Sequence, residues 1–159
     1  MKKAKIYLSL GTNLGNKQQN IICAIESLSR ILGNPLAVAP TIETEPWGFQ
    51  STNTFLNTAV AYGTSLTPTE LLAATQEVER TLGRTTKSIN GAYSDRPIDI
   101  DILLYGDETI TTGELTVPHP LMHKRQFVLQ PLAAIAPQVV HPIFKKSISQ
   151  LLEELSRQE

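Results

Sequence analysis

Cysteine is almost absent: Cys23 stands alone, which excludes an internal disulfide and any cysteine-based zinc cluster. A fold without such staples is held by packed apolar surface, and this cysteine usage fits a reducing, cytoplasmic setting. Cys23 has no His or Lys beside it and falls in an apolar-periodic stretch, so it reads as a helix-packing residue rather than a nucleophile. An excess of either charge is missing too. The 14 Lys and Arg against 15 Asp and Glu leave a formal net charge of −1, which supplies no broad basic surface for nucleic acid or an anionic membrane. The expected partner is a small molecule. Long apolar runs are also lacking, since no stretch reaches the roughly 20 residues of a membrane span. The opening "MKKAKIYLSLG" passes from positive charge into a strand pattern, without the apolar core and cleavage region of a signal peptide.

What is present is a chain of 159 residues, 41% hydrophobic and 18% charged, which suits one domain over residues 1–159 with a core of its own. No repeats or low-complexity tracts interrupt it. "AKIYLSLGTNLGN" predicts a first strand over about 4–10, broken by Gly11, Asn13, Gly15 and Asn16. A helix follows from Lys17 to Leu32, with Ile21, Ile25, Leu28 and Leu32 on one face and "GNP" ending it. Residues 36–44 predict a second strand in which Pro40 marks an edge or bulge, and 54–64 a third. The loop between them carries Trp47 and Phe49, rings that either cap the core or meet a ligand.

The next helix announces its own start: Thr67 as N-cap, Pro68 at the first position and Glu70 three residues after the cap, the pattern of a capping box. Leu71, Leu72, Val78 and Leu82 form its expected buried stripe, and Gly83 stops it. A polar linker, "RTTKSINGAYSD", leads to a fourth strand within "SDRPIDIDILLYG". A short β segment, the turn "LTVPHP", a helix around 127–135 and a terminal helix starting at Ser147 complete the chain. The order β-α-β-β-α-β with a further β segment and helices predicts an α+β fold, a ferredoxin-like core with helices on an antiparallel-rich sheet.

The fourth strand poses the chemical question. Successive side chains of a strand alternate sides, so Asp99 and Asp101 share one face while Ile98, Ile100 and Ile102 share the other. Two carboxylates so placed repel unless a hard divalent cation takes their oxygens, and magnesium is the natural choice because it leaves positions open for phosphate oxygens. The D-x-D pattern alone is a weak signal, being common on exposed strand faces. Its neighbours strengthen it: Arg96 lies three residues before Asp99, Arg84 follows the preceding helix and Lys87 sits in the linker. Arg84 and Lys87 also suit a helix C-terminus, an alternative that does not account for Arg96.

Other polar residues carry less. His119 and His123 have the i, i+4 spacing of a metal pair, but Pro120 follows the first and no third ligand is apparent, so His119 reads as a turn residue or a hydrogen-bond donor to phosphate. His141, before Pro142, reads as structural. "GTNLGN" lacks the lysine and spacing of a P-loop and reads as a strand-to-helix turn. Asn57, inside "FLNTAV", is an amide in apolar company that needs partners, either backbone groups or a polar heterocycle.

In this order "GTNLG", "FLNTAV", "TPTELLAATQEVERTLGR", "RPIDIDILLYG" and "LTVPHP" resemble the 6-hydroxymethyl-7,8-dihydropterin pyrophosphokinases of folate biosynthesis, over about residues 5–140. The resemblance implies a monomer with a ferredoxin-like core that moves the terminal diphosphate of ATP to the pterin hydroxymethyl group and releases AMP. It implies that Asp99 and Asp101 ligate two magnesium ions and that Arg84 and Arg96 meet the charge on the transferring group. On the pterin side it points to Asn57, to the rings Phe127, Trp47 and Phe55, and to backbone near Thr44 and Glu45. On the ATP side it points to Leu72, Gln76, Glu79, Lys87, Ile102, Thr116, His119 and Arg125.

Three departures from the family pattern stand out. "NGAYSDR" replaces an "RWGPR"-type ending, which makes Tyr93 the candidate ring to close over the pterin; Glu114 replaces an arginine of some members; and Pro120 replaces an aromatic. Two loops, about 45–53 and 84–96, are expected to close over the substrates and exclude water. Two other readings of the same residues are a non-catalytic sensor domain, which would tolerate loss of the aspartates, and a magnesium-dependent phosphohydrolase needing no pterin.

Overall fold

Strand β1, Ala4–Thr12, is the centre on which the fold is built. It pairs antiparallel with β4, Phe55–Thr64, on one side and with β5, Asp99–Tyr105, on the other. The short strands β2, Ala37–Val38, and β3, Ile42–Thr44, both pair with the far side of β4. This computed structural model describes residues 3–44, 54–83 and 97–158. The strand order is β2-β4-β1-β5, with β3 beside β2 on β4, the antiparallel arrangement of a ferredoxin-like core. Pro40 explains the split of the expected second strand: lacking an N–H, it interrupts the edge between β2 and β3.

Alternation along the strands builds two cores. Ile6, Leu8 and Leu10 of β1, with Val60, Tyr62, Ile100 and Ile102, face helices α1, Lys17–Leu32, and α2, Pro68–Thr81. Tyr7, Ala59, Ala61, Leu103 and Leu104 face α3, Gln126–Ile135, and α4, Ile148–Arg157, on the opposite side. The sheet is therefore a middle layer between two helix pairs. Each fully buried Leu or Ile, such as Leu8 or Leu28, contributes roughly 1.5–3 kcal/mol.

The helix limits follow from their caps. Asn16 accepts the Gln19 N–H at the start of α1, and Gly33, at φ 86°, closes it. Thr67 and Glu70 exchange both bonds of the capping box, Glu70 N–H to Thr67 Oγ1 and Thr67 N–H to Glu70 Oε1. Ser147 accepts the Gln150 N–H to open α4. The stripe of α2 differs from expectation: Leu71, Thr75, Val78 and Glu79 are buried, while Leu72 and Leu82 are only half-buried.

Two irregularities shape the middle of the sheet. β1 runs two residues beyond the expected end, through Gly11, because Gly11 pairs with both Asn57 and Asp99 and is a strand residue instead of a turn. A Cβ at Gly11 would stand 2.8 Å from Asn57 Oδ1, so only glycine fits that approach; the turn falls to Gly15, at φ 66°. The β1–β5 register slips between Tyr7 and Leu8 of β1, leaving Leu103 of β5 as the extra residue of a bulge. Tyr105 is thereby turned to the α2 side, where its hydroxyl donates to Leu66 O at 2.6 Å.

The remaining pieces cover the β5 side. The expected short β segment is a two-strand ribbon, β6, Ile110–Thr111, with β7, Thr116–Val117. A cis Val117–Pro118 bond then leads through His119 to a 3-10 turn, Met122–Lys124, and into α3. No helix among the described residues is long and apolar enough to cross a membrane.

Candidate active site

The open edge of β5 is where polar groups collect. Ile100 donates its N–H outward to Glu79 Oε2 at 2.7 Å, which places the carboxylate of α2 against the strand between its two aspartates. Glu79 is 8% exposed and has no place in an apolar stripe except as the acceptor for this buried donor. Period-two geometry sends the peptide groups of Ile102 to the same edge as those of Ile100.

Asp99 and Asp101 turn to the α3 side, as alternation requires, and both are half-buried. Opposite them on β1 stand Gly11 and Ser9. A cleft of about 440 Å³ lies along the two acids. One wall is the α2 row Leu72, Thr75, Gln76 and Glu79, spaced i, i+3, i+4, i+7 on a single helical face. The floor is Asp99, Ile100 and Asp101; the other wall is the turn His119, Pro120 and Leu121, with Arg125.

That far wall is cationic and donor-rich. Arg125, at the N-cap of α3, is 7% exposed, with its guanidinium carbon 5.6 Å from the centre of the Phe127 ring. His119 gives its backbone N–H to Leu103 O at 3.1 Å and accepts the Leu121 N–H on Nδ1 at 3.2 Å. Burial, reinforced by the Arg125 guanidinium and opposed by Asp99, pushes the imidazole down to about 4. At neutral pH the ring is uncharged, and because Nδ1 accepts, its proton sits on Nε2. At neutral pH His119 thus offers an Nε2–H donor at this wall.

Across the sheet from the aspartates lies a second polar group. Asn57, Gly11 and Asp99 form one row over three strands, so Asn57 and Asp99 are about 9.5 Å apart by strand spacing. Asn57 is 3% exposed and donates from Nδ2 to Thr44 Oγ1 at 2.7 Å. This partner, a side-chain hydroxyl, is neither of the two kinds expected, backbone groups or a heterocycle. Phe55 begins β4 beside it and lies 3.6 Å from where a Gly11 Cβ would be.

Seven residues singled out in the sequence thus share one cleft: Leu72, Gln76, Glu79, Asp99, Asp101, His119 and Arg125. Thr44, Phe55 and Asn57 gather beyond Gly11, and Phe127 packs at the start of α3. Ile102 and Thr116 lie elsewhere. The Ile102 side chain is buried in the α1–α2 core because it alternates with Asp101, and Thr116 is exposed on β7, paired with Thr111. Glu45, Trp47, Arg84, Lys87, Tyr93 and Arg96, and with them the two expected closing loops, are outside the described residues.

Thr75, Ile100 and Leu121 also line the cleft, unforeseen from sequence. The helical spacing of Thr75 with Leu72, Gln76 and Glu79 was the available signal. His141 is structural as expected: it is 2% exposed, and Nδ1 accepts from Ile143 N and Phe144 N at 3.2 Å each. Among the described residues no three His, Cys, Asp or Glu gather as a metal cluster.

The model of the family described as 7,8-dihydro-6-hydroxymethylpterin-pyrophosphokinase (HPPK) matches residues 7–137. A 2-amino-4-hydroxy-6-hydroxymethyldihydropteridine pyrophosphokinase of Porphyromonas gingivalis is 48% identical over 87% of this chain and 95% of its own. That of Aquifex aeolicus is 41% identical over 95% of this chain and 92% of its own. In solved structures, the Plasmodium falciparum HPPK-DHPS shares the fold over 99% of this chain, with a TM-score of 0.80 at 16% identity. This chain covers 45% of that longer one. Fold and sequence agree, and the chain belongs to the 7,8-dihydro-6-hydroxymethylpterin-pyrophosphokinase family.

Proposed function

We propose that this protein transfers the terminal diphosphate of ATP to the hydroxymethyl group of 6-hydroxymethyl-7,8-dihydropterin, in folate biosynthesis. The observation that carries the reading is the single cleft in which two half-buried carboxylates face a buried arginine and a neutral histidine, in a chain of this family. The hydroxymethyl oxygen attacks the β-phosphorus in line and gives up its proton to solvent, the bond from that phosphorus to the α–β bridging oxygen breaks, and AMP leaves with the electron pair. No covalent enzyme intermediate is required.

The donor set suits a hard cation. Asp99 and Asp101 offer carboxylate oxygens from one strand face into a cleft with room for more ligands, the preference of magnesium. In this reading they would hold two magnesium ions, which would supply charge neutralisation along the phosphates. The chain's own groups do the rest. Arg125 and the Nε2 proton of His119 meet phosphate oxygens from the opposite wall, as donors whose positions are fixed before substrate arrives. The α2 face from Leu72 to Glu79 lines the nucleotide side, and Lys87 serves the same substrate in this reading. Thr44, Glu45, Asn57 and the rings Trp47, Phe55, Tyr93 and Phe127 hold the pterin, and Arg84 and Arg96 meet the transferring group.

The reading extends to a single-domain monomer working in the cytoplasm, supported by the balanced charge and the single cysteine. The decisive experiment incubates the protein with ATP, magnesium and the hydroxymethyl-dihydropterin. AMP and pterin diphosphate are expected in equal yield. Release of ADP, or of phosphate or diphosphate without the pterin, overturns it.

A further inference from the structure

Lys17 is in an odd place. It is the first residue of α1, directly after the Asn16 cap, where a cation opposes the helix dipole. Its side chain does not stay in solvent. It crosses to the start of β4 and donates from Nζ to Thr54 O at 3.1 Å and to Thr54 Oγ1 at 3.2 Å, in a partly buried contact. The Thr54 hydroxyl in turn donates to Glu43 Oε2 at 2.9 Å. Ammonium, hydroxyl and carboxylate form one chain whose charges balance at its two ends.

This relay sits at the end of the β3–β4 ladder. Glu43 pairs with Leu56, Thr44 with Phe55 and Ile42 with Asn57, and Thr44 with Phe55 is the last rung among the described residues. The end of a two-strand ladder is where pairing frays. Lys17 fastens that end to a third element, the first turn of α1. One step along the ladder, Thr44 and Asn57 make their 2.7 Å bond, which fixes the rotation of the Asn57 amide and so the direction of its remaining donor. A shift of β3 against β4 would pass straight to that amide.

We infer that Lys17, acting through Thr54 and Glu43, is a positioning residue for the heterocycle side of the cleft and leaves the nucleotide side untouched. The inference rests on the proposed function, and the two fail differently. If wild-type protein yields no AMP and pterin diphosphate, the function falls; if it turns over, steady-state kinetics of variants judge the relay. Lys17→Met should raise the KM for the pterin about fivefold, with kcat and the KM for ATP unchanged, and Lys17→Arg should restore it. Thr54→Val, which keeps shape and removes the hydroxyl, should match Lys17→Met and serves if that variant folds poorly. Titration calorimetry with 6-hydroxymethylpterin should show the same loss without turnover. An unchanged pterin KM in both variants, or KM values for pterin and ATP that rise in parallel, overturns the inference.

Discussion

Replacing Gly11 with alanine tests how tightly the floor between the two polar groups is drawn. The new Cβ would lie 2.8 Å from Asn57 Oδ1, whereas ordinary contact begins near 3.4 Å, so the amide must yield by about 0.6 Å (3.4 less 2.8). It has little room to do so, being buried and held from its other end by Thr44. Overpacking of this kind costs about 1–3 kcal/mol, offset by up to about 1 kcal/mol from a narrower unfolded ensemble. The expected net loss is about 1–2 kcal/mol, or about 2–8 °C in Tm for a chain of this length. Thermal unfolding should be measured in two backgrounds, wild type and Asn57→Ala. Without Oδ1, the remaining contact is Phe55 Cδ1 at 3.6 Å, an ordinary distance, and the penalty should disappear as a coupling of about 1 kcal/mol or more. An equal penalty in both backgrounds refutes the reasoning.

The other expectations concern charge and pairing. His119 titrates near 4 when folded and near 6.5 unfolded. Between these values the unfolded chain binds more protons, so its stabilisation is complete above about pH 6.5, is lost as the pH falls and is gone below about 4, a total of roughly 3 kcal/mol. His119→Gln should flatten urea midpoints across that window, with the lowered His123 and His141 contributing equally to both proteins. Glu79→Leu strands the buried Ile100 N–H and should cost about 1–3 kcal/mol in denaturant unfolding, while Glu79→Gln keeps an acceptor and should cost less than about 1. Asp99→Asn and Asp101→Asn should each lower AMP formation by on the order of 10²-fold or more at near-wild-type Tm. Chelation of magnesium should stop turnover in wild-type protein, and added magnesium should restore it.

Local chemistry was legible where it is self-contained. The limits of α1 and α2 follow from Asn16, Thr67, Glu70 and Gly33, each of which acts within a turn of itself. The shared face of Asp99 and Asp101 follows from period-two alternation alone. Gly11 misled because its requirement is a cross-strand one, set by Asn57 on β4, and nothing nearby in sequence announces it. Leu103 is similar: a bulge is a mismatch between two strands, and β5 by itself reads as regular. The α2 wall was named through the resemblance, by Leu72, Gln76 and Glu79, and not by the stripe; the burial of Glu79 goes with its bond from Ile100 N–H on β5. Ile102 went to the other side of the sheet because it alternates with Asp101, and its side chain belongs to the α1–α2 core.

Helix α2 and strand β5 are bolted together twice. Near the start of the helix, Tyr105 reaches Leu66 O; toward its end, Glu79 grips Ile100 N. A hinge needs one fixed point and one free end, and this pair offers no free end. The α2 wall of the cleft is therefore held to its β5 floor at both ends and does not swing from it as a hinged flap would. Side-chain rotation is the adjustment left to that wall, which favours ligands of one width over a range of them.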